Sequence, residues 1–230
     1  MDMDLTSLAS RVPEPEYMTE EEEICYAAAD YSIPHEALAQ EVVKVAAGKP
    51  RRVVDLGCGP GDVLLRIRRH APDWDLTGAD ISPRMLAIAR DAQEERLAAD
   101  TRRIHWLLTN GRNLACADGS FDVVMSNSVL HHVADAVQFW REIRRIAEEG
   151  AHVFVRDLRR PPDEATARAL VSKHVGGESQ VVQAHYLSSL RSSYTCAEVR
   201  SQLAAARIGG LEVRELEDRY LTVGGCLSKI

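Results

Sequence analysis

Between residues 36 and 160 short apolar runs alternate with stretches in which apolar side chains recur every three or four positions. A bounded apolar run fits a strand buried on both faces, and the 3.6-residue period fits an amphipathic helix. Their alternation predicts βαβ units on a parallel sheet. Strands are expected over RVVDLG, LTGADI, IHWLLT, FDVVMSN and AHVFVRDL. Helices are expected over PHEALAQEVVKVAA, DVLLRIRRH, PRMLAIARDAQEERLAA and AVQFWREIRRIAEE.

The flanks read differently. Residues 1–35 are acidic, and Thr19 with Glu22 has capping-box spacing at the start of a helix, TEEEEICYAAADY. From Pro161 the alternation lapses into a helical stretch reaching Tyr194. TCAEVRSQLAAARIGG reads as a helix closed by its glycines. The last two runs, LEVREL and RYLTVG, are close enough in the chain to pair antiparallel. Four regions are therefore expected: 1–35, 36–160, 161–195 and 196–230.

Composition narrows the class. Hydrophobic residues at 45% supply a core and charged residues at 27% a soluble surface. No apolar run approaches the roughly 18 residues of a membrane span. The acidic N-terminus lacks the basic start and apolar segment of a secretory signal. The five cysteines are scattered without a CxxC pair, which points to a reducing cytosol and away from a zinc knuckle. A net charge of −7 disfavours a nucleic-acid footprint. The expected partner is a small molecule, with no nucleic acid and no membrane.

The chemistry begins at VVDLGCGPG, where three glycines alternate directly after a strand. Gly57, Gly59 and Gly61 allow a tight turn and close approach to a ligand. A dinucleotide turn needs GxGxxG, and here its third position is Asp62. No Gly-Lys-Ser/Thr follows, so a P-loop is excluded. Asp80 ends the next strand at the spacing where such folds place a carboxylate for ribose hydroxyls. The ligand reads as a nucleoside with little or no phosphate.

VVDLGCGPGD, GADISPRMLAIAR and FDVVMSNSVLHHV together resemble the class I S-adenosylmethionine-dependent methyltransferases. That resemblance implies a Rossmann-like seven-stranded, mostly parallel sheet with an antiparallel last strand and helices on both faces. It also implies an N-terminal helical lid, a substrate-cap insertion after strand five and S-adenosylmethionine as cofactor. Asp55, Gly57, Cys58, Gly59 and Gly61 would hold the methionine and ribose portion, and Asp80 the ribose hydroxyls. Ile81, Met85, Gly111 and Tyr31 would lie beside the cofactor. Asn110 stands where the family usually has aspartate, and an amide carbonyl still accepts from the adenine amino group. Arg112 would offer backbone there, while Ser126 and Asn127 would line the methyl-donor site.

Methyl transfer asks for alignment, dryness and a base only when the acceptor carries a proton. The candidate bases are His131 and His132, with structural roles as the alternative. No metal is expected: His131 with Asp135 at i, i+4 lacks a third ligand in the sequence. Arg156 beside Asp157 is a candidate fork for an anionic acceptor. In the insertion, His185 with Tyr186 is a candidate proton acceptor, and His174, Ser189 and Tyr194 candidate specificity residues. Tyr17, Tyr26 and Tyr31 offer aromatic faces to a sulfonium. The expected function is methylation of a small molecule in specialised metabolism. Methylation of a protein or carrier-bound intermediate and a non-catalytic cofactor-binding subunit are the alternatives, and a homodimer is left open.

Overall fold

The computed structural model describes residues 7–48, 51–97 and 102–230. Residues 1–6 of the expected N-terminal segment and residues 98–99 of the helix expected from Pro83 lie outside them. Seven strands form one sheet: β1 Arg52–Leu56, β2 Asp75–Asp80, β3 His105–Leu108, β4 Phe121–Asn127, β5 Ala147–Leu158, β6 Ile208–Leu216 and β7 Tyr220–Lys229. Their order is β3-β2-β1-β4-β5-β7-β6. The first five run parallel, with Val54 opposite Thr77 on one side and Val124 on the other. β7 is antiparallel to both neighbours, Val223 facing Val155 and Val213. This is the expected sheet with its antiparallel last strand.

The apolar runs fill both faces because consecutive strand side chains point to opposite sides. Val53 joins Leu38 of α2 (Ser32–Val45), Leu64 of α3 (Asp62–His70) and Leu86 of α4 (Pro83–Arg96) on one face. Val54 joins Trp140 of α5 (Ala136–Ile146) and Leu203 of α8 (Cys196–Ala205) on the other. Trp140 is fully buried, and its indole N–H donates to Gln202 at 3.0 Å, tying α5 to α8. Three helices lie outside these layers: α1 Glu20–Ala28, α6 Glu164–Val175 and α7 Gln180–Ser192. Among the described residues no helix is long and apolar enough to cross a membrane.

Three local expectations are corrected. Ala147, Glu148 and Glu149 begin β5 instead of ending α5, because Ala147 turns extended and pairs with Phe121. The glycines after α8 do not close it. Arg207, at φ +56, follows the helix, while Gly210 sits at an irregularity in β6 where a Cβ would stand 2.1 Å from the Cys226 carbonyl. The first helix stops at Ala28, because a second helix starts at Ser32 with Pro34 in its first turn, where a missing N–H costs nothing.

Candidate functional site

The chain crosses from one half of the sheet to the other between β1 and β4, which splays the loops beyond their C-terminal ends. There the fold holds a cavity of about 440 Å³. Gly57, Asp80, Asn110 and Asn127 form its sheet side. Tyr17 and Tyr26 from the N-terminal segment, and His185 and Tyr186 from α7, form the other.

The glycine turn divides its work. Gly57 has φ +74, and a Cβ there would stand 2.2 Å from Val129; Gly57 and Gly59 face the cavity. Gly61, at φ +77, does not. A Cβ on Gly61 would lie 2.5 Å from the Trp106 ring and 3.0 Å from Ala89, so this glycine packs α3 against β3 and α4. It performs the close-packing task of a dinucleotide turn's third glycine one position earlier in the chain. Cys58 likewise turns away: its thiol is buried among the residues under α3, and burial pushes its pKa up.

Two carboxylates flank the turn. Asp80 accepts from the Gly59 amide at 2.7 Å on one oxygen and the Ser82 amide at 2.8 Å on the other. A carboxylate has about four acceptor sites, so shaping the turn leaves capacity for a ribose hydroxyl. Asp55 is 2% exposed, and its Oδ1 has no hydrogen-bond partner. Burial, then the Asp80 charge, lifts its pKa from 3.8 to about 7. It faces a small void of about 20 Å³ bounded by Tyr26, His35 and Asn127, which also border the main cavity. An orphaned buried carboxylate beside a glycine cradle is the complement of a cationic amine reached directly or through one water.

Ile81, Met85, Asn110, Gly111 and Arg112 line the adjoining wall. Asn110 Oδ1 accepts from the Arg112 amide at 3.1 Å, and Gly111 takes φ +70. The Arg112 guanidinium is paired with Glu16. Tyr31 lies 5.1 Å from Tyr26 and 5.3 Å from His35, ring centre to ring centre, on the cavity wall. Ser126 departs from expectation. Its hydroxyl donates to the Leu56 carbonyl at 2.7 Å and is buried between β4 and β1, while its neighbour Asn127 faces the cavity.

The expected Arg156–Asp157 fork does not form, because consecutive strand residues point to opposite faces. Asp157 accepts the Val129 and Leu130 amides at 2.8 and 2.6 Å, and its other oxygen meets His131 Nδ1 at 2.5 Å. Arg156 lies on the cavity wall, donates to Asn127 Oδ1 at 2.9 Å and sits 5.5 Å from the Tyr220 ring centre. Among the described residues no carboxylate is within ion-pair distance of Arg156. Burial lowers its pKa. Arg219 stacks on the same Tyr220 ring at 4.6 Å and donates to the Tyr186 hydroxyl at 3.4 Å. Both arginines and both tyrosines border the cavity.

His131, His132 and His185 meet at the opposite end. The two adjacent rings are 4.2 Å apart, and His185 stacks 6.2 Å from His132. Burial works against charge on His131, but Asp157 and Glu14 outweigh it and raise the pKa. Burial and the neighbouring His131 push His132 down to about 2, leaving that ring neutral. His185 Nδ1 lies 3.2 Å from Glu22. His174 and Ser189 also border the cavity, whereas Tyr194 packs under Arg11 and donates to the Val133 carbonyl. Asp135 caps α5 through the Gln138 amide.

Sequence reasoning missed Glu14, Arg11, Arg219 and Tyr220. Glu14 and Arg11 stand in a proline-broken segment without periodicity, and the other two at the last strand's start. Only the aromatic next to a basic residue in DRYLTV offered a signal.

Residues 54–155 match the family model described as a methyltransferase domain. Demethylmenaquinone methyltransferase of Thermus thermophilus is 33% identical over 50% of this chain and 51% of its own length. Ubiquinone biosynthesis O-methyltransferase of Cereibacter sphaeroides is 34% identical over 52% and 46% respectively. The chain thus spans about half the length of the curated relatives it matches. The crystal structure of a SAM-dependent methyltransferase from Aquifex aeolicus superposes with a TM-score of 0.68 at 16% identity, covering 91% of this chain and 99% of that one.

Proposed function

We propose that this chain, whose residues 54–155 match a methyltransferase domain and whose fold is that of the superposed methyltransferase structure, transfers the methyl group of S-adenosylmethionine to a small anionic acceptor. One observation carries this reading: the roofed cavity is bordered by the glycine turn and by an arginine with no carboxylate within ion-pair distance among the described residues, and it shares Tyr26, His35 and Asn127 with the small void that the unpaired Asp55 Oδ1 faces.

The residues fit the cofactor. Asp55 supplies the missing partner for the amino-acid ammonium, and Asp80 has acceptor capacity left for a ribose hydroxyl. The turn at Asn110, Gly111 and Arg112, with Ile81 and Met85, offers an edge-on and apolar bed for adenine. When bound, S-adenosylmethionine supplies an electrophilic methyl on a sulfonium that loses its charge on transfer. The chain's contribution is to position and to keep water out. Arg156, braced by Asn127 and Tyr220, orients an acceptor carboxylate or similar anion. His132, neutral at working pH, accepts a hydrogen bond but is too weak a base to take a proton, and His185 is the better placed acceptor. Tyr26 and Tyr31 border the cavity with ring centres 5.1 Å apart and are aromatic residues available to a sulfonium there.

A cavity roofed by the N-terminal segment and α7 favours a free small molecule over a carrier-bound one. The two quinone-pathway relatives are named for small-molecule methylation, which agrees. Calorimetric titration with S-adenosylhomocysteine tests the cofactor half. Micromolar binding to the native chain, weakened at least tenfold in Asp80→Ala by loss of charge-assisted hydrogen bonds worth about 1.5–3 kcal/mol, supports the reading. No binding by the folded native chain removes it.

A further inference from the structure

At the His131 end of the cavity three metal-ligand atoms converge from distant parts of the chain. Glu14 Oε1 lies 3.2 Å from His132 Nδ1 and 3.5 Å from His131 Nε2, and all three atoms lie within 4.8 Å of one another. Two ligands bound at 2.0–2.1 Å to a tetrahedral ion stand about 3.3–3.4 Å apart. The two separations from Glu14 bracket that value.

The surroundings are built for such a site. Glu14 is 5% exposed in its side chain, and its buried Oε1 makes no hydrogen bond of acceptable geometry. A buried carboxylate oxygen in that condition costs free energy unless a cation meets it. His131 directs its other nitrogen at Asp157, 2.5 Å away. That carboxylate is itself fixed by the Val129 and Leu130 amides. A histidine oriented by a carboxylate behind it is the usual arrangement around a metal-bound imidazole. The segment carrying Glu14 is pinned on either side: before it, Val12 N–H donates to the Arg191 carbonyl at 3.0 Å and Arg11 donates to the His131 carbonyl at 2.5 Å, and after it Glu16 pairs with Arg112.

We propose that Glu14, His131 and His132 form a binding site for one divalent transition-metal ion of the zinc type. Two imidazoles and one carboxylate select zinc-like ions over magnesium or calcium, which prefer all-oxygen sets. Binding through His132 Nδ1 takes the neutral tautomer with the proton on Nε2, in place of the one in which Nδ1 directs a proton at the Pro15 carbonyl, 3.3 Å away. Both histidines line the cavity and Glu14 does not, so the remaining coordination position opens inward. An oxygen of the acceptor, or a water, is the ligand that position takes. The site lies outside the glycine turn and stands whether or not the chain transfers methyl groups.

The test is titration of the chelator-washed full-length chain with Zn2+ and, for spectroscopy, Co2+, without any nucleoside. One equivalent should bind, with the intense visible absorption of tetrahedral cobalt. Glu14→Gln and His132→Gln should each weaken binding at least about tenfold, and circular dichroism checks that each variant is folded. Cys226→Ser, which removes an exposed thiol 3.7 Å from His152, should leave affinity unchanged. Absence of stoichiometric binding by the native chain overturns the proposal. So does equal affinity in the folded Glu14 and His132 variants, which would place the ion elsewhere on the surface.

Discussion

Asp55 and Asp80 are neighbouring carboxylates whose pKa values burial raises, but they differ in their partners. Asp80 is engaged by two amides, whereas Asp55 Oδ1 is buried without a partner and its pKa rises to about 7. A carboxyl whose folded pKa exceeds its ordinary 3.8 binds a proton in the native state that the unfolded chain has released. Stability is therefore lost as pH rises from about 4 through about 7. Asp55→Asn removes that dependence, so melting curves should show it gaining about 3 kcal/mol on the native chain between pH 5 and pH 8. S-adenosylhomocysteine affinity should fall in the same variant. A stability difference that ignores pH would show that Asp55 is not protonated in the fold. At Arg156 the expected outcome is kinetic: Arg156→Met should raise KM for an anionic acceptor tenfold or more, as loss of a charged hydrogen bond predicts, with S-adenosylhomocysteine affinity unchanged. A matching loss for neutral acceptors would speak against an anionic substrate.

Elements here are joined at glycines that do different jobs under one conformational requirement. Gly61 and Gly111 both have left-handed φ, near +77 and +70. A methyl on Gly111 meets nothing within 4 Å, so Gly111→Ala should cost only the backbone strain, about 1–2 kcal/mol. On Gly61 it meets Trp106 and Ala89, adding an overpacking cost for a total of about 2–5 kcal/mol. Denaturant unfolding of the two variants separates these contributions, and equal losses would mean that α3 shifts freely against Trp106. Capping was legible for α1, where Thr19 and Glu22 exchange hydrogen bonds as their spacing requires. The end of α5 was not, because AEE is good helix sequence and only the pairing of Ala147 with Phe121 draws it into β5.

Across the whole molecule the N-terminal segment crosses from α6 to α1 over the cavity, held at separated points. Leu8 donates to the Pro162 carbonyl at 3.0 Å, Arg11 stacks 4.5 Å over Tyr194 and reaches the Ser192 carbonyl, and Glu16 pairs with Arg112. Apart from Leu8, which packs against the Leu158, Leu170 and Leu190 cluster, these ties are polar contacts, each of which can break locally without exposing the core. Arg11→Ala removes hydrogen bonds from a charged donor, worth about 1.5–3 kcal/mol, enough for at least tenfold more opening. Limited proteolysis should then cut within residues 7–18 at least tenfold faster, with global melting little changed. Unaltered cleavage would show that the remaining ties suffice.

The sheet, its layered helices and the placing of Asp55, Asp80 and the glycine turn followed from the sequence, because apolar period, strand-end position and glycine spacing are local properties. The same rule, alternation along a strand, already separated Arg156 from Asp157. Tertiary structure alone decided what the separated side chains meet. Asp157 found His131 across 26 positions, and Glu14 came to the two histidines from more than a hundred residues away. Arg156 and Arg219 meet one tyrosine ring because β7 runs back beside β5. Such meetings depend on loop closure and side-chain direction, quantities that no window of neighbouring residues contains.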